Sequence, residues 1–143
     1  MTITIATDGA CANNQDPSER RAGIGFVVAI DSENVHQSSR YLGAGKEYTN
    51  NVAEYEAAIH AVEWVSENLD TARCDVQLLT DSQLVVSQTS GDWDINSESL
   101  RQLCNELRRA WPGEEPVLFQ TSDTESEVVA RADGLAKKAV EVG

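Results

Sequence analysis

The sequence predicts one α/β domain: a five-stranded mixed sheet, strands one to three antiparallel and strands four and five parallel, with helices on both faces. Three observations predict it. The first third of the chain holds three strand-like apolar segments joined by short connections, the pattern of an antiparallel meander. At Thr49 the apolar spacing lengthens to three and four residues, the mark of an amphipathic helix. Beyond that helix, short β-rich segments alternate with helical ones. At 143 residues, with no linker, repeat or low-complexity segment, the chain is sized for one core.

Each element has its own justification. Ile3 and Ile5 alternate with threonines, so residues 2–7 read as the first strand, and GACANNQDPSE reads as a turn-rich loop. Ala22–Ile30 is the second strand and the segment around Val35–Leu42 the third, joined through Asp31, Ser32, Glu33 and Asn34. Val52, Tyr55, Ile59, Val62 and Val65 mark the first helix, which runs to about Leu69. Thr49, Asn50 and Asn51 offer capping side chains at its start. Asp75–Thr80 is the fourth strand. A second helical region follows, broken at SGDWD and resuming through Leu100, Leu103 and Leu107 to Ala110. PVLFQT is a short fifth strand. Val128, Ala132, Leu135, Ala136 and Ala139 give the closing helix.

Charge is the unusual property. Lys plus Arg total 11 against 24 for Asp plus Glu, a net charge of −13, and only Lys46, Lys137 and Lys138 are lysines. A solvated acidic surface explains this blandly. Adaptation to concentrated salt, where screening makes self-repulsion tolerable, explains it more sharply. The balance argues against phosphate binding through a basic face. Cys11, Cys74 and Cys104 are odd in number and form no CxxC pair, so they read as buried or semi-buried thiols. No apolar run approaches the roughly 20 residues that span a bilayer, and nothing reads as a secretion signal. A cytoplasmic protein with no membrane partner is expected.

Two strands end in the same Thr-Asp pair, at Asp8 and at Asp81. With the first strand central, both carboxylates fall at the carboxyl edge of the sheet, where ligands bind in open α/β folds. Two like charges that close persist most easily with cations between them. Each acidic residue also has a plain reading. Asp81 can cap the helix beginning at Ser82, and Asp8-Gly9 can form a turn. Glu54 and Asp133 can complement helix dipoles.

Together, TDGA, TNNVAEYEA, LLTDSQLV and ARADGLAKKA occur in this order, each on the element just described. Over about Thr2 to Val140 the chain resembles the ribonuclease H type 1 family, in its short archaeal and bacterial form without a basic protrusion. The resemblance implies a ribonuclease H-like fold and an endonuclease cutting the RNA strand of RNA–DNA hybrids. It places the catalytic, metal-holding carboxylates on Asp8, Glu54, Asp81 and Asp133, with two Mg²⁺ or Mn²⁺ ions per site and Asp8 bridging both. It further implies that Asn14, Asn50 and Gln83 touch the minor groove of the hybrid. Backbone amides around Gly9 and Cys11–Asn14 would meet the RNA 2′-hydroxyls. As plain alternatives, Asn50 is a helix cap and Asn14 a turn residue.

The sequence departs from the family in three places. Many relatives carry a histidine in the loop before the last helix, whereas the histidines here are His36 and His60. Asp123, Glu125 and Glu127 stand in that loop as possible auxiliary groups. An asparagine common four residues before the last aspartate is Val129. The segment GDWDINSES is acidic where long-form relatives carry a basic handle. Its Trp93 can stack on nucleic acid but is expected to pack. The alternatives to hybrid cleavage are a nuclease of the same fold acting on double-stranded RNA or other nucleic acid, and a non-catalytic binding module. A monomer is expected. With few lysines, phosphate contact would fall to the metals, to backbone amides and to arginines such as Arg20 and Arg21.

Overall fold

Ile3 and Ile5 turn to one side of the first strand and Ala6 to the other, and all three are fully or almost fully buried. A strand covered on both faces is a central strand. The computed structural model, which describes residues 1–142, bears this out. Its sheet has the order β3-β2-β1-β4-β5, with β1 Thr2–Ala12, β2 Arg21–Ile30, β3 Glu33–Ala44, β4 Asp75–Thr80 and β5 Leu118–Gln120. Strands β1 to β3 pair antiparallel, while β4 pairs parallel with both β1 and β5. The helices are α1 Asn50–Asn68, α2 Gln83–Ser90, α3 Glu98–Ala110 and α4 Glu127–Val142.

Two cores follow from the alternation of side chains along the strands. On one face Ile3, Ile5, Phe26 and Val28 pack with Tyr55, Val62 and Val65 of α1 and with Cys104 and Leu107 of α3. On the other, Ala6 and Val27 pack with Val129 and Ala132 of α4. Val129, the residue that departs from the family pattern, is therefore a core side chain. Small residues let the helices come close. A Cβ on Gly9 would lie 2.3 Å from the carbonyl carbon of Ala53 in α1, and one on Gly25 would lie 2.4 Å from the carbonyl oxygen of Ala132 in α4.

The hairpin joining β2 and β3 is tighter than the four-residue turn expected. Asp31 and Ser32, at φ 48° and 73°, make the turn alone. Two left-handed residues match the twist of the strands they join. The N-cap of α1 is Thr49, whose hydroxyl accepts from the Val52 N–H, so Asn50 and Asn51 are left for other partners. Trp93 does not pack. It is 44% exposed, in the turn after Gly91 ends α2, with its backbone N–H bonded to the Ser87 carbonyl. The three cysteines are free, Cys104 buried and Cys11 and Cys74 half-buried. No helix among the described residues is long and apolar enough to cross a membrane.

Candidate active site

The site begins where the sheet becomes asymmetric. Parallel pairing of β1 with β4 stops at Thr7 opposite Thr80, but antiparallel pairing with β2 runs on to Ala12 opposite Arg21. Asp8 therefore does not end its strand, as the sequence suggested, and the first four residues of the expected loop are strand. It is the first residue of β1 to lose its neighbour on one side. Asp81 is the first residue past the end of β4. The shared Thr-Asp pattern thus marks one edge, seen from two adjacent strands.

Glu54 comes from the second turn of α1 and is 6% exposed, as is Asp8. Its Oε1 accepts the backbone N–H of Gly9. That bond requires α1 to approach β1 closely, which the missing side chain of Gly9 permits. One oxygen from each of Asp8, Glu54 and Asp81 lies within 4.8 Å of the others. Asp133, from α4, joins the same cleft of about 750 Å³ but stands outside this trio and pairs with Lys137, Nζ to Oδ2 at 2.9 Å. The capping reading of Asp81 fails, because Ser82 caps α2 with its hydroxyl accepting from the Val85 N–H.

Crowding sets the protonation. Burial first, then a hydrogen bond to Asp133 and the charges of Asp81 and Asp133, push Asp8 up to about 8. Burial and the charges of Asp8 and Asp81 hold Glu54 well above the carboxylate range, offset in part by the Gly9 N–H. Burial also acts on Asp133, but hydrogen bonds from Lys137 and Asp8 outweigh it and lower its pKa. Burial and its acidic neighbours thus favour the neutral form of Asp8, while Lys137 favours the carboxylate form of Asp133. The crowding that favours protons on Asp8 and Glu54 favours a cation in their place as well. Carboxylate oxygens are the donors that hard divalent ions prefer.

Of the expected substrate contacts, Gly9, Cys11, Asn50 and Gln83 line the cleft. Asn14 lies just outside it, its Oδ1 accepting the Asn50 N–H at 3.0 Å and tying the β1–β2 loop to the start of α1. The Cys11 thiol donates to the Tyr48 carbonyl, and burial pushes its pKa up against the opposing Arg20 charge. Arg20 spends two donors on the carbonyls of Asn14 and Lys46, and Arg21 bonds the Val140 carbonyl. Arg20 thus braces the loop after β1, and Arg21 ties β2 to α4. None of the auxiliary acids lines the cleft among the described residues. Glu125 accepts from the Ser122 N–H and hydroxyl, which lowers its pKa, and Glu127 opens α4. Asp123 comes near enough for its charge to help raise the pKa of Lys137. Lys137 itself was missed in the sequence, although its place four residues after Asp133 puts both on one helix face.

The RNase H family model matches residues 1–141. Among curated proteins, the chain is 33% identical to Ribonuclease HI of Halobacterium salinarum over 94% of its own length. It is 38% identical to Ribonuclease H of Lachnoclostridium phytofermentans over 65%. It spans 62% and 54% of the length of those two relatives. The crystal structure of RNase H1 from H. salinarum superposes with a TM-score of 0.80 at 28% identity and covers both chains completely. LC11-RNase H1, solved in complex with an RNA/DNA hybrid, gives a TM-score of 0.77 at 30% identity, covering 97% of this chain and 96% of its own.

Proposed function

Because this chain belongs to the RNase H family, we propose that it hydrolyses the RNA strand of RNA–DNA hybrids with divalent cations held by Asp8, Glu54, Asp81 and Asp133. The observation that carries this reading is the carboxylate trio of Asp8, Glu54 and Asp81, with an oxygen of each within 4.8 Å of the rest, at the edge of a sheet left open beyond Thr7. Two bound Mg²⁺ or Mn²⁺ ions would activate the attacking water and stabilise the leaving 3′ oxygen of the cleaved phosphodiester.

The chain's own groups do the rest. Asp8, acted on by all three other carboxylates, would help hold the cations. Glu54 is fixed by the Gly9 N–H, so its free oxygen is presented to the cleft without loss of side-chain freedom on binding. Asn14, held to the start of α1, keeps the loop that would meet RNA hydroxyls in register with Asn50. Of the three auxiliary acids, Asp123 is the one whose charge acts on Lys137, and we assign it to product release. The similar protein solved with an RNA/DNA hybrid supports the choice of substrate, and the halophilic relative supports reading the acidic surface as salt adaptation. We further propose a cytoplasmic monomer.

The test is incubation of the protein with matched RNA–DNA hybrid, RNA duplex and DNA duplex, with and without Mn²⁺. Metal-dependent cuts confined to the RNA of the hybrid are expected. Equal cleavage of the RNA duplex would transfer the assignment to a double-stranded RNA nuclease.

A further inference from the structure

The acidic cleft contains one positive side chain. Asp8, Glu54, Asp81, Asp133 and Glu141 all line it, and Lys137 is the basic residue among the described lining. In a chain with three lysines and a net charge of −13, this placement calls for a reason. Stability does not supply one. The Lys137 side chain is 66% exposed, and an exposed pair at i and i+4 on a helix adds little to stability.

We infer that Lys137 is a displaceable counter-ion: its ammonium holds Asp133 until a divalent cation takes the carboxylate, and it then turns to the substrate phosphate. Two observations carry this. Asp133 stands outside the trio of Asp8, Glu54 and Asp81, and its Oδ2 lies 2.9 Å from Lys137 Nζ. The carboxylate a cation would need is therefore already neutralised. The lysine stem is mostly solvent-exposed, so an ammonium released from Asp133 remains free to swing within the cleft. Neither Arg20 nor Arg21 is among the described residues lining the cleft, which leaves Lys137 as the cleft's own contact for a phosphate.

This inference rests on the ribonuclease reading and is tested beside it. The first measurement is calorimetric titration of the free protein with Mn²⁺, with no nucleic acid present. Lys137→Gln should bind Mn²⁺ about 3- to 10-fold more tightly than wild type, since a competing charge is gone, while Lys137→Arg should stay near wild type. The second measurement is hybrid cleavage at saturating Mn²⁺, where Lys137→Gln should raise KM about 5-fold or more and Lys137→Arg should restore most of it. Unchanged Mn²⁺ affinity in Lys137→Gln, or an unchanged KM, overturns the exchange and leaves the ribonuclease reading standing. A wild-type protein that neither binds Mn²⁺ nor cuts hybrid overturns the ribonuclease reading itself.

Discussion

The backbone N–H of Gly9 donates to the carboxylate of Glu54 across 45 residues of sequence, beside Asp8. This bond joins the central strand to α1 at the point where the carboxylates converge. The contact distance that allows it is set by an absent side chain.

Gly9→Ala is therefore expected to do two things at once. A Cβ 2.3 Å from the Ala53 carbonyl carbon forces α1 outward, with a stability loss of about 1–3 kcal/mol. The same displacement moves Glu54 away from Asp8 and should lower cleavage by about 100-fold. Thermal melting and single-turnover rates check both. A variant with wild-type melting and rate would show that α1 can yield without cost.

Asp8→Asn should abolish cleavage yet stabilise the metal-free protein at alkaline pH. The native Asp8 titrates at about 8 and the unfolded one near 3.8. Between those values the native state holds a proton that the unfolded state has released, so wild-type stability falls as pH rises from about 4 to about 8. Asparagine carries no such proton. In chelator at pH 8 the variant should be more stable by on the order of 2 kcal/mol, and the difference should vanish near pH 4. Added Mn²⁺ should raise the wild-type melting temperature far more than the variant's. Melts at pH 4, 6 and 8 decide it, and a constant difference across that range would contradict the assignment of burial to Asp8.

Thr7 offers a contrasting case one residue away. Its buried hydroxyl has no hydrogen-bond partner among the described residues. Thr7→Val removes an unsatisfied polar atom at almost constant volume, so stability should hold or rise by up to about 1 kcal/mol. A clear loss in chemical denaturation would reveal a partner for that hydroxyl.

The net charge of −13 yields a prediction about salt. Screening should stabilise the native state, while the usual salt penalty on phosphate binding should be shallow in a chain with so few lysines. Melting temperature and hybrid cleavage should both rise as KCl goes from low concentration to about 1 M, where the Debye length is about 3 Å. A monotonic fall of both from the lowest salt upward would show that the acidic surface is no salt adaptation.

The elements were legible where burial imposes a period. Ile3 and Ile5 against one face, and Tyr55 through Val65 along α1, repeat as their packing demands. The end of β1 was not, because residues 9–12 pair on one side only and Gly-Ala-Cys-Ala has the composition of a turn. Gly9 is there for the approach of a helix, a demand that lies 44 residues away in Ala53 and leaves no local trace. The roles of Arg20 and Lys137 were equally hidden, since a charged residue reads alike whether it meets a carbonyl, a carboxylate or water. Trp93, expected to pack, is 44% exposed in the turn after α2.

The early stop of β4 has a consequence for how this chain can change. Beyond Thr80 the strand gives way to Ser82 and α2, while β1 continues for five residues to Ala12. Over that stretch the backbone groups of β1 that face away from β2 have no strand beside them, and one of them serves Glu54. Two more extended residues grafted onto β4 would zip into this vacant seam, gain ladder hydrogen bonds and carry Asp81 past Asp8. The protein would become a better sheet and a closed one, so the length of β4 is held down by chemistry against the pull of folding.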